Sequence, residues 1–408
     1  MATIDKLQTK LWQILLLLLV PFITITESIA AEPSWDAIEK TARGQTVYWN
    51  GWGGDEKTNA YIAWVSEQVK ARYGITLQHV KVGDIAETVS RILAEKYAGR
   101  NEKGTVDLLW LNGENFHTMK GNGLLFGPFS EKLPNYPLVD TITIPSTTLD
   151  FTEPVEGMEV PWGKSQLVFI YDTAQLQNPP KTVAELMAYA KAHPGRFTYP
   201  EPPDALGSTF LKQVLIELTD QRDALQTPVA ETTFGAVTAP LWGWLDEIRP
   251  HLWRQGQAFP QSTPALRQLL ADGEIDLAFS LNPNDASAEI EKGNLRNTVR
   301  TYVLTGGTIA NTHFVAIPYN SSAKEGAQVI ANFLLSPEAQ TRKLDPTIWG
   351  DPTVLGLEKL TPADRERFTK LKRGIATLSP GELGAPLPEP HPSWVERLET
   401  AWRARYSR

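Results

Sequence analysis

The sequence predicts an α/β protein with two lobes and a mostly helical C-terminal section. Short apolar runs of strand length alternate with segments whose apolar residues recur every three or four positions, the pattern of sheets layered with helices. The alternation comes in two blocks, and two further strands after the second block return the chain to the first. At 408 residues the chain is also longer than one hydrophobic core organises.

The elements follow in order. Residues 46–50 read as a strand, and Gly51, Gly53 and Gly54 make a turn into a helix with Tyr61, Ile62, Val65, Val69 and Tyr73 on one face, which Gly74 closes. Residues 75–81 are a second strand. Asp84 and Glu87 have the spacing of a capping box for a helix that carries Ile85, Val89, Ile92 and Leu93. Residues 106–111 are apolar but for Asp107, as in a strand buried on both faces, and the sheets are expected to be largely parallel.

In the second block, 166–171 and 196–199 are expected strands. Thr182 with Glu185 starts a helix through 192, and Ser208 starts another through 218. An amphipathic stretch over 241–253 precedes Ser262-Thr263-Pro264, which opens a helix closed by Gly273; 275–280 is the next strand. Strands over 299–304 and 313–318 precede the helical tail. The expected division is a first lobe of 45–162 plus 305–408 and a second of 163–304, with crossings near Trp162 and 305–311 forming a hinge. The proline-rich stretch 380–392 is expected to lie extended across the surface before a last helix from Ser393.

The N-terminus has its own signature. Lys6 and Lys10 precede an apolar run over 11–25 broken only by Gln13, Pro21 and Thr24, and Ser28 and Ala30 are small residues placed for cleavage after Ala30. That is the pattern of a cleavable secretory signal over 1–30. Pro21, Thr24, Thr26, Glu27 and Ser28 leave fewer than the roughly twenty apolar residues a spanning helix needs. The chain has no cysteine, which excludes an N-terminal lipid anchor on Cys, disulfides and thiolate metal sites. A soluble periplasmic protein is the expectation.

Composition and motifs exclude several classes. A formal charge of −8 and the lack of a Lys/Arg run argue against a nucleic-acid partner. The chain contains no G-x-S-x-G, no H-E-x-x-H and no phosphate-cradling G-x-x-x-x-G-K-[ST], and its six histidines are scattered too widely for a local metal site. Gly51-Trp52-Gly53-Gly54 lacks dinucleotide spacing. No cofactor or metal is expected. The enzymatic alternative is a secreted carbohydrate-active enzyme with Glu114 and Glu201 facing each other across a cleft; ordinary loop or helix-start carboxylates account for them more simply, and no enzyme is expected.

Asn332-Phe-Leu-Leu-Ser-Pro-Glu-Ala-Gln340, after Ala327 and Ile330 and the strand end Ile317-Pro318, resembles a signature of bacterial extracellular solute-binding proteins of ABC importers. Gly273-Glu274-Ile275-Asp276-Leu277-Ala278 is similar to that family's strand before a ligand-contacting loop, and residues 45–52 resemble its opening strand and aromatic loop. The resemblance covers nearly the whole mature chain and is nearest the branch of thiamine, polyamine and iron receptors; the tyrosine pair of the iron receptors is not evident. It implies a two-lobed periplasmic-binding (type II) fold with a hinge, a monomer that closes on a ligand between its lobes and delivers it to a membrane permease with a cytoplasmic ATPase.

Loops at the C-terminal ends of parallel strands are where such sheets bind ligands. They point to Trp49, Asn50, Trp52, Asn112, Glu114 and Asn115 in the first lobe, and to Glu201, Ser208, Thr209, Ser280 and Asn282 in the second. Trp162 at the crossing and Trp349 in the tail complete the set. Aromatic plates beside carboxylates favour a cationic, ring-bearing ligand, thiamine-like as the leading expectation. A sugar or oligosaccharide would use the same tryptophans with Asn and Glu as hydrogen-bond partners. An anion would use Ser208 and Thr209 at a helix start.

Overall fold

The computed structural model describes residues 33–407; the segment read as a secretory signal, 1–30, lies outside them. Among the described residues no helix is long and apolar enough to cross a membrane.

Helix α1 (Trp35–Ala42) leads into β1 (Thr46–Trp52), α2 (Glu56–Tyr73), β2 (Thr76–Val82), α3 (Ala86–Tyr97), β3 (Leu108–Leu111) and α4 (Glu114–Gly121). Asp55 starts α2 by accepting from the Lys57 and Thr58 N–H groups, and Gly74, at φ +69°, ends it. The box expected at Asp84 and Glu87 does not form: Asp84 accepts from the Ala86 N–H at 2.9 Å, and the residue before the helix is Ile85, whose side chain cannot cap. A hairpin, β4 (Leu149–Asp150) and β5 (Glu153–Pro154), precedes β6 (Glu159–Gln166).

The second block runs through β7 (Val168–Asp172), α5 (Val183–Ala192), α6 (Ala205–Leu218), α7 (Glu231–Ile248), α8 (Thr263–Ala271), β8 (Leu277–Ser280), α9 (Asp285–Glu291) and β9 (Val299–Tyr302). Thr182 and Ser262 cap α5 and α8 as expected. The strand expected at 166–171 breaks at Leu167, where the chain passes from one sheet to another and the Leu167 N–H bonds the Ile309 carbonyl at 2.9 Å. Residues 196–199 make only an isolated bridge, Phe197 to Leu277, because Pro200, Pro202 and Pro203 follow and have no N–H to extend a ladder. The chain returns through β10 (Ala310–Ala316) to α10 (Lys324–Leu334), α11 (Pro337–Leu344), α12 (Pro362–Thr369), α13 (Pro380–Leu383) and α14 (Ser393–Tyr406).

Two sheets result. The larger has the order β2-β1-β3-β10-β6 and the smaller β8-β7-β9. The parallel expectation holds for β1 with β2 and β3 only. Strand β10 runs antiparallel to both its neighbours, and the small sheet is antiparallel throughout.

Each sheet carries its own core. Trp49, Tyr61, Ile62, Trp162, Ile330 and Phe333 belong to the core of the large sheet. Phe169, Phe197, Phe210, Leu241, Trp244 and Phe279 belong to that of the small one. The tail, expected with the first lobe as a whole, divides between them. Helices α10 and α11 pack on the large-sheet core, whereas Trp394, Leu398, Trp402 and Tyr406 of α14 join the other. The Trp402 ring sits edge-on to Phe259 at 5.2 Å and its Nε1 donates to the Tyr199 hydroxyl at 3.0 Å.

The stretch 380–392 lies on the surface only as far as 388, with a short helix at its start, and its last residues, 389–392, are buried. Leu387 bridges to Ile309, and Glu389 is buried, accepting from Lys212 Nζ at 2.6 Å and Asn311 Nδ2 at 2.8 Å. Trp402→Ala empties a fully buried site and orphans the Tyr199 hydroxyl. It is expected to cost about 3–5 kcal/mol of stability by denaturant titration.

Candidate functional site

A cavity of about 650 Å³ opens between the two sheets. From the large-sheet side it is lined by the ends of β1 and β3 and the start of α4; from the other side by the start of α6 and the loop after β8. Trp52, Asn112, Glu114, Asn115, Glu201, Ser208, Thr209, Ser280, Asn282 and Trp349 all line it. Gly54 is required beside Trp52, since a Cβ there would fall 2.6 Å from the indole.

Three expected residues do not reach the cavity. Trp49, Asn50 and Trp162 are all fully buried. Trp49 and Trp162 alternate inward on their strands and meet edge-on at 5.5 Å. Asn50 donates to Thr88 Oγ1 at 3.2 Å, behind the strand end. Trp162 still supports the site from beneath: it packs edge-on against Trp110 at 4.8 Å and lies 5.5 Å from Trp349, and both of those rings line the cavity. Trp110, missed in a strand that reads as buried on both faces, is therefore a wall residue, as is Phe151.

The charges sort into two groups. Lys57, Arg267 and Lys212 are already engaged, while Arg403 at the rim acts on Glu399. Lys57 at the start of α2 lies 2.7 Å from Asp285 and 2.9 Å from Glu289; Arg267 lies 2.9 Å from Asp285. Burial alone would lower the Lys57 pKa, but Asp285, Asp55 and Glu289 reverse it and the ammonium is held above its usual range. Burial would likewise raise Asp285, yet Lys57 and Arg267 bring it down to about 2. Lys212 pairs with Glu389 and sits 4.6 Å from the centre of the Phe151 ring. On the cavity floor Asp351 accepts from Lys343 and lies 3.1 Å from His313 Nε2. None of these residues was read as functional from sequence.

The second group is carboxylates without a cation. Desolvation pushes Glu114 up to about 7, with Glu399 and Glu389 adding to the effect against a backbone N–H and Lys212. Its Oε1 accepts from Asn115 Nδ2 at 3.0 Å. Glu399 is also raised, chiefly by burial, although Ser208 Oγ donates to it at 2.6 Å. Glu201 accepts from Gln261 Nε2 and the Ser407 hydroxyl.

Ser208 is thus no helix cap. Asp204 caps α6, taking the Leu206 and Gly207 N–H groups, and burial lifts its carboxyl to about 6. With those donors used and the Ser208 hydroxyl turned to a carboxylate, the start of α6 offers little to an anion.

The description of the bacterial extracellular solute-binding proteins fits residues 64–355 of this chain. Protein YnjB of Escherichia coli (strain K12) is 45% identical over 380 residues, which are 93% of this chain and 96% of that protein. The solved TpPotD lipoprotein of Treponema pallidum superposes with a TM-score of 0.64 at 14% identity over 89% of this chain and all of that one, 100%. The periplasmic binding protein AfuA of Actinobacillus pleuropneumoniae, solved with fructose-6-phosphate bound, gives 0.62 at 14% identity, covering 89% of this chain and 99% of that one. At such identities the two structures share the fold with this chain.

Proposed function

This chain belongs to the bacterial extracellular solute-binding proteins, the receptors of ABC transporters, and from that premise we propose that its cleft takes a small organic cation bearing a flat ring, of the thiamine-like kind. The observation that carries the reading is Glu114. It is a carboxyl raised to about 7 in a cavity where Lys57, Arg267 and Lys212 are already paired and which the Trp52, Trp110, Trp349 and Phe151 rings also line. A ligand cation restores the missing partner. Desolvated cation–π contacts add about 2 kcal/mol each, and ring stacking adds to that.

The two sides of the cleft are the two lobes of the receptor, and closure on the ligand presents it to a permease in the inner membrane. Export by the N-terminal signal places this in the periplasm, with the receptor as a monomer. Glu114 and Glu201 serve recognition, so no bound compound is turned over.

The test is native mass spectrometry of mature protein purified from periplasm, followed by thermal shift against thiamine, spermidine and maltotriose. Thiamine is expected to give a saturating rise in melting temperature, about 2.7 kcal/mol of added stability at a hundredfold excess over Kd. A saturating response to maltotriose with none to either cation overturns the cationic reading in favour of a sugar bound by the same rings.

A further inference from the structure

Away from the cleft, three side chains from distant parts of the sequence converge. His117 stands on α4, Glu153 on β5, and His391 in the stretch just before α14. Each offers a ligand atom, and these atoms all lie within 4.8 Å of one another. Glu153 Oε1 is in contact with His117 Nδ1 and lies 3.8 Å from His391 Nε2. None of the three lines the cavity.

We propose that His117, Glu153 and His391 form a binding site for one late first-row divalent cation, such as zinc, which ties the stretch before α14 to the surface of α4 and the β4–β5 hairpin. Two imidazoles with one carboxylate are a donor set suited to such ions, and bonds of 2.0–2.2 Å put tetrahedral ligand atoms about 3.3 Å apart, close to what is already in place. The fourth position faces solvent, since the His117 side chain is 47% exposed.

The support around the ligands points the same way. His391 Nδ1 accepts from the Ser393 N–H at 3.2 Å and lies 2.9 Å from the Ser393 hydroxyl, with Nε2 turned toward Glu153; when a cation takes Nε2, the proton moves to Nδ1 and the hydroxyl oxygen accepts it in place of the N–H contact. Outer partners of this kind fix a ligating ring in orientation. The stretch itself is anchored: the His391 N–H bonds the Leu225 carbonyl at 2.7 Å, and Glu389 is buried against Lys212. Two further acidic groups flank Glu153. Buried Asp150 and Glu159 interact with it, and Glu159 has no hydrogen-bond partner on either oxygen. Nearby Lys120 is engaged by Glu156 and the Pro154 carbonyl.

The site does not depend on what the cleft binds. Untagged, chelator-stripped mature protein is titrated with zinc alone by calorimetry, with thermal shift in parallel. One zinc per chain at micromolar affinity, with a raised melting temperature, is expected. His117→Ala, a change at an exposed position, should weaken binding at least about tenfold and remove the shift. Glu153→Gln should do the same with the fold intact by circular dichroism. No zinc uptake by the wild type, or uptake equally strong in His117→Ala, overturns the site.

Discussion

Affinity for a permanently charged cationic ligand is expected to rise by up to about thirtyfold between pH 5 and 7 and to level off above, and Glu114→Gln is expected to abolish this dependence. Glu114 titrates at about 7 in the free protein, because the cavity desolvates it and no cation answers it. A bound cation favours the carboxylate and lowers that pKa. Below 7 each unit of acidity removes nine-tenths of the binding-competent ionised form. Above 7 the carboxylate is already ionised and pH has no further hold. At pH 8 the glutamine variant should bind about thirtyfold more weakly, the worth of a charge-assisted contact of about 2 kcal/mol.

The free protein should respond in the opposite sense. Its carboxyl is raised above the unfolded value, so stability is lost as pH rises between the two values, and Glu114→Gln should melt higher than wild type at pH 8. Calorimetry across pH with one quaternary cation decides the matter. A flat affinity profile in the wild type would mean that the ligand does not engage Glu114 as a charge, and a neutral solute would then take its place.

Local chemistry made part of this architecture readable. The three- and four-residue spacing of Tyr61, Ile62, Val65 and Val69 and the left-handed Gly74 marked α2 from both ends, and Thr182 and Ser262 cap the helices that follow them. The strand ends likewise located Trp52, Asn112 and Ser280 at the cavity. Period-two alternation tells which tryptophans point inward, but inward may mean core or cleft; Trp49 and Trp162 take the first and Trp110 lines the second, a difference set by which strand lies alongside. The tail carried no such signal. Whether α14 packs on one core or the other depends on Tyr199 and Phe259, far away in sequence. The same holds for Lys57 and Asp285, an ion pair whose members stand 228 residues apart and look like ordinary surface charges on their own helices.

That pair bridges the two sides of the cavity, and it is expected to act as a latch on the closed cleft. Lys57 and Asp55 come from the start of α2, Asp285 and Glu289 from α9, and Arg267 from α8, so the network spans the two sides. It is flanked by Asn282 Nδ2 donating to the Trp349 carbonyl at 3.3 Å and Asn284 Nδ2 to that of Gly350 at 2.5 Å. Asp285→Ala leaves Lys57 and Arg267 buried in the closed form with Glu289 as the remaining close carboxylate there. Stripping one member from a buried pair costs about 3–5 kcal/mol. In the open form the same cations are hydrated, so the penalty falls on closure and not on folding. The expected result is at least a hundredfold loss of ligand affinity and a larger radius of gyration by X-ray scattering, with the unfolding transition little changed. Unaltered scattering with a Kd within about threefold of wild type would remove the latch from the mechanism. Because Asp285 is held down at about 2, the latch stays charged at pH 5 and above, and its stabilisation fades only as pH falls below the unfolded value toward that figure. A change of affinity between pH 5 and 7 that Glu114→Gln removes therefore reports on Glu114 and not on the latch, and the two variants separate recognition of the ligand's charge from closure over it.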